Sequence, residues 1–193
     1  MESFISFCAE YKTLFVILHV FSVVIGMGAA LVSDLLFNIF IKDKKLNITE
    51  NGVLSTLSRI VWIALLFIVL SGAALFFSNP EVYAVSVKFL TKMSIVGVLI
   101  LNGLFFHFVV HPALPHISFT DTKGRNKYIR IRRWSFAFGA VSVSSWVLAF
   151  ILGSLSKIPF TYPEALALYA MVLACGIIVS QIVERRITSS KAR

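Results

Sequence analysis

The sequence predicts an all-α membrane protein, a compact five-transmembrane-helix bundle with its N-terminus outside and its C-terminus inside. Three observations carry this expectation. Of 193 residues, 58% are hydrophobic and 14% are charged, whereas a soluble domain needs about a quarter charged residues. Five apolar runs come close to the ~20 residues a helix needs to cross a hydrocarbon core. Lysine and arginine gather in alternate connections between those runs.

The first run covers about 14–41. Glu2 and Glu10 stand where a signal peptide carries basic residues, and the run is longer than an h-region. It is therefore expected to remain as helix one. The other runs cover about 60–77, 89–110, 134–155 and 165–183. A barrel would show alternating segments of about ten residues instead. Backbone polar groups in lipid must bond within their own segment, so the runs are helices. The whole of 1–193 reads as a single transmembrane domain, with no repeat and no low-complexity segment.

The formal net charge of +9 would suggest nucleic acid in a soluble protein. Its distribution gives another answer. Lys42, Lys44 and Lys45 fall in the first connection. Lys123, Arg125, Lys127, Arg130, Arg132 and Arg133 fall in the third, and Arg185, Arg186, Lys191 and Arg193 follow the fifth run. The N-terminal segment and the second and fourth connections are nearly neutral, which is the positive-inside pattern of an N-out, C-in chain. The expected partner is the lipid bilayer, in a bacterial inner membrane, and not nucleic acid. Cys8 and Cys175 imply no disulfide framework. The sequon Asn47-Ile48-Thr49 falls on the expected cytoplasmic side and carries no weight.

Ionisable residues within a membrane are costly and mark functional sites by default. Here they form two tiers. His19 lies about 8 Å into helix one, and Lys92 about three residues into helix three, so both belong to the outer leaflet. Asp34 and His107 lie at roughly 27–30 Å from the outer end, and Arg59 reaches that level from the inner side. His19 and His107 differ in depth by roughly 20 Å and cannot share one iron. Ser22, Gly26, Ala29, Ala30 and Ser33 follow His19 at helical spacing, a small-residue face that admits either a neighbouring helix or a flat ligand. An Asp34–Arg59 ion pair would join helices one and two. Asn102 and Trp146 stand at mid-depth, where they could bond across helices. His107 and His111 are one turn apart, with His116 beyond, which is a weak metal pattern.

"LHVFSVVIGMGAALVSDLLF" in helix one, "LSGAALFF" ending helix two and "KFLTKMSIVGVLILNGLFF" in helix three resemble the CopD and HemJ-type protoporphyrinogen oxidase superfamily of small membrane proteins. The resemblance covers helices one to three. It implies haem b bound at His19, with Lys92 as a functional residue. Leu31 and Asp34 stand near where HemJ-like proteins have an arginine, and Asn102 stands where they have a histidine.

Three functions follow as expectations. The first is a haem b protein in electron transfer or porphyrin redox chemistry, served by a membrane redox partner or a second copy of the chain. His19 would be the axial ligand on iron, Lys92 or Met93 would assist, and Ser22 and Gly26 would seat the ring. The second is a proton- or ion-conducting protein using the His19/Lys92 and Asp34/Arg59/His107 tiers, with Asn102 between them. The third is a cofactor-free scaffold or partner subunit.

Overall fold

The computed structural model describes residues 2–40, 47–110 and 125–189. His111, His116, Lys123 and the lysines of the first connection lie outside the described residues, as do Lys191 and Arg193. Among the described residues every regular element is helical, and five helices are long and apolar enough to cross a membrane. Such helices are the mark of an integral membrane protein.

A short helix α1 (Glu2–Glu10) precedes the first spanning helix α2 (Lys12–Phe40). It packs against α3 (Ile48–Ser78), burying Cys8 and setting Phe4 edge-on to Phe77 at 5.5 Å. The helix α4 (Pro80–Ala84) then turns the chain into α5 (Val87–Phe105), whose last turn, Phe106–Val110, widens to π geometry. The remaining spanning helices are α6 (Arg125–Ser154) and α7 (Tyr162–Ser189). The most extensive contact is α2 against α3. α6 packs on α2, α5 and α7, and so holds the bundle together.

Several helices outrun the apolar stretches. α3 begins at Ile48 rather than near residue 60, because Asn47 caps it: the Asn47 side chain accepts from Ile48 N–H, and Glu50 accepts from Asn47 N–H. The sequon asparagine is thus a helix cap. The basic stretch expected as a loop is the first part of α6, and α7 continues past Glu184. There Arg132 bonds Glu184, which is 2% exposed, and Gln181 donates to the carbonyl of Arg133 at 3.0 Å. Further along the same seam Ser145 and Tyr169 share a hydrogen bond at 2.8 Å. In a bilayer, where apolar burial gives helices little reason to associate, such polar contacts and close packing hold them together.

The interior divides into layers. A central cluster joins Ala30, Leu65, Ile68, Ile95, Leu99, Trp146 and Tyr169. A second cluster of Phe37, Leu54, Val110 and Phe136 lies toward the basic end.

Candidate functional site

α2 carries both polar tiers on its inward face. His19 and Asp34 are 15 residues apart, or ~22 Å along the axis. At the first tier, His19 Nδ1 lies 2.9 Å from Ser71 Oγ. The Ser71 hydroxyl has one proton, and it donates that proton to the carbonyl of Phe67 at 2.5 Å. Ser71 Oγ therefore accepts from His19 Nδ1–H, and in the neutral imidazole Nε2 is then the nitrogen without a proton. The imidazole lies beside Gly72 of α3, where a methyl group would be in ordinary contact at 3.6 Å from His19 Cε1.

Lys92 lies within electrostatic reach of His19, so the structure places the two on the same side of the bundle. Lys92 also has a structural role. Its ammonium sits beside Gly153 in the last turn of α6, and Lys88 donates to the carbonyl of Leu155 just beyond. Unsatisfied carbonyls at a helix C-terminus attract cations. The remaining residues expected at this tier are elsewhere. Met93 is 48% exposed on the outside of α5. Gly26 does not offer a seat for a ligand, because α6 occupies it: a methyl group at Gly26 would fall 2.5 Å from the Trp146 ring and 3.0 Å from Ala64. Ser22 is buried and donates to the carbonyl of Leu18. The small-residue face is a helix-packing surface.

The second tier forms only in part. Asp34 and Arg59 do not pair. Arg59 is exposed on α3, while Glu184 takes Arg132 and Arg133 as ion-pair partners. His107 is exposed in the π turn, edge-on to Phe108. The cause is angular, since Arg59 and His107 share the depth of Asp34 but not its inward face.

Asp34 instead joins Asn102 and Trp146 in lining a cavity of about 100 Å³ between α2, α3, α5 and α6. Its walls also include Ser33, Ser58, Ser135 and Ser142. The cavity lies between the two apolar clusters, with Ala30, Leu65, Leu99 and Trp146 above it and Phe37 and Leu54 below. Three lining groups have a buried polar atom with no hydrogen-bond partner: Asp34 Oδ2, Asn102 Oδ1 and Trp146 Nε1. The amide of Asn102 is held by its nitrogen, which donates to the carbonyl of Phe138 at 3.2 Å. Gly139 gives the carboxylate its place, because a methyl group there would stand 3.1 Å from Asp34 Oδ1.

Buried polar atoms are normally paired, and each exception needs a reason. Three at one cavity, one of them on a carboxyl group inside a membrane-spanning helix, mark a place built to receive something. Among the described residues no three histidine, cysteine, aspartate or glutamate side chains come together to hold a metal ion. No family model matches this chain, nor does any curated protein or solved structure. The geometry therefore carries the functional argument by itself.

Sequence reasoning missed Ser71, Gly139 and Glu184. Ser71 and Gly139 look like ordinary small residues of a membrane helix until their partners are known. Glu184 was legible in principle: a glutamate directly after the last apolar run needs a cation, and two arginines stood available in the preceding helix.

Proposed function

We propose that the chain is an integral membrane protein, N-terminus out and C-terminus in, that relays protons or small cations through its interior. The orientation is supported by the lysines of the first connection and the basic ends of α6 and α7. That bias and the simple helical layout favour a bacterial inner membrane. The functional reading is carried by one observation, the Asp34 carboxyl group facing a cavity with an unpartnered oxygen. A carboxyl group so placed exchanges a proton or a cation with whatever enters, which is the elementary step of a relay.

The division of labour follows from position. Asp34 and Asn102 serve the half of the bundle near the basic ends. His19, with its bare Nε2, and Lys92 serve the opposite half. The Trp146–Ile68–Ile95 layer between them is the barrier that separates the two sides. Gradient-driven flux into liposomes holding the purified protein tests this. Asp34→Asn is expected to lower flux at least tenfold, while Arg59→Gln leaves it within about twofold. Equal flux in wild type and Asp34→Asn would remove the proposal.

The bare Nε2 of His19 favours a second reading, a haem b-binding protein of the CopD/HemJ-like type. An anchored Nδ1–H with a free Nε2 is how haem and metal ligands are commonly oriented. The interior seat does not fit the ring, however, since Trp146 and Ala64 fill the face at Gly26 and Met93 points away. A visible spectrum after haem supplementation decides: a Soret band lost in His19→Ala supports haem, and a colourless protein ends this reading.

A further inference from the structure

We propose that the cavity between α2, α3, α5 and α6 binds one small alkali cation, held by the Asp34 carboxylate and the Asn102 carboxamide oxygen. This rests on the reading of the cavity as the functional site and names what enters it. The first argument is the balance of donors and acceptors. Among the fully buried atoms, two unpartnered acceptor oxygens, Asp34 Oδ2 and Asn102 Oδ1, stand against one unpartnered donor, Trp146 Nε1. Asn102 cannot turn to offer its NH₂ group without breaking its bond to Phe138. The fully buried, unpartnered atoms at the cavity are therefore acceptors more than donors.

The second argument is that no cationic side chain stands on the cavity wall to pair with Asp34. Arg59 on α3 is exposed. Arg132 and Arg133 on α6 are engaged by Glu184. Lys92 on α5 belongs to the opposite tier, beside Gly153. No other titratable side chain lines the cavity.

The third argument concerns ligand type and size. Apart from the indoles of Trp62 and Trp146, the polar side chains on the wall offer oxygen: a carboxylate, an amide and the hydroxyls of Ser33, Ser58, Ser135 and Ser142. Oxygen donors suit hard cations, and nitrogen or sulfur ligands for a soft metal are absent from this wall. One carboxylate matches one positive charge, whereas divalent sites usually recruit several carboxylates. A cavity of about 100 Å³ holds a cation with a few waters to complete its shell.

The purified full-length protein in detergent tests this by thermal unfolding in choline chloride, with sodium or potassium chloride added at constant ionic strength. Binding to the folded state raises the midpoint with saturation, by about 3 °C or more when the ion is in large excess over its Kd. Saturation by sodium or potassium but not choline is expected, with a concurrent change in tryptophan fluorescence that Trp146→Phe removes. Asp34→Asn and Asn102→Leu should abolish the response. Gly139→Ala, which crowds the carboxylate without altering any ligand, should weaken it several-fold. An unsaturable response, or one unchanged in both Asp34→Asn and Gly139→Ala, overturns the cation site. Asp34-dependent proton flux without alkali binding would keep the relay and discard this site. Saturable binding without flux would keep the site and discard the relay.

Discussion

A single absent methyl group sets how closely α2 and α6 approach. The Trp146 ring lies where a Cβ on Gly26 would stand, and its indole nitrogen is buried without a hydrogen-bond partner. Gly26→Ala must displace a ring that is 1% exposed, so it is expected to destabilise the protein by about 1–3 kcal/mol, as overpacking generally does. Gly97 offers the control, since nothing stands within 4 Å of a Cβ there. Gly97→Ala should be neutral or slightly stabilising, because alanine is the better helix former. Comparing the two thermal midpoints checks both. Ser71 acts on His19 in a similar way, by fixing the tautomer. Ser71→Ala removes the acceptor for Nδ1–H, and nitrogen-15 NMR of the imidazole should then show a mixture of tautomers where the wild type has the Nδ1–H form.

At the scale of elements, α6 and α7 are joined by polar contacts more than by buried apolar area. α7 buries the least of the five spanning helices. Glu184 sits between Arg132 and Arg133, and Gln181 reaches the carbonyl of Arg133. Removing Glu184 leaves Arg132 without its partner at a largely buried position. Glu184→Ala should cost about 1.5–3 kcal/mol, the usual range for a hydrogen bond to a charged group. Tyr169→Phe, which deletes only the bond to Ser145, should cost about 0.6 kcal/mol, typical of interhelical hydrogen bonds within membranes. Controlled proteolysis reads the difference, with α7 cleaved faster in Glu184→Ala than in Tyr169→Phe. These contacts also explain why the sequence placed the ends of the helices poorly. Hydropathy reports where lipid begins, while caps such as Asn47 and pairs such as Arg132–Glu184 carry helices beyond it.

For the whole molecule, the number of spanning helices was legible because lipid imposes it: each span needs about 20 apolar residues, and the chain has five such runs. Rise per residue turns a position into an expected height, but it leaves rotation open. Asp34, Arg59 and His107 share a level, yet only Asp34 turns inward, because helix rotation depends on contacts such as Trp146 on Gly26 that join residues 120 positions apart. The candidate site was therefore named residue by residue, as Asp34, Asn102 and Trp146, without being seen as one cavity. The same view of the molecule defines its central claim, that the Asp34 carboxyl group exchanges with ions arriving from water. Infrared difference spectroscopy of the reconstituted protein tests it most directly, by following carboxyl absorption as the surrounding proton or sodium concentration changes. A reversible carboxyl signal that vanishes in Asp34→Asn and survives in Glu184→Gln is the expected result. A spectrum in which Asp34→Asn and wild type respond alike would mean that this carboxyl group is sealed from both sides, and would contradict a relay through the cavity.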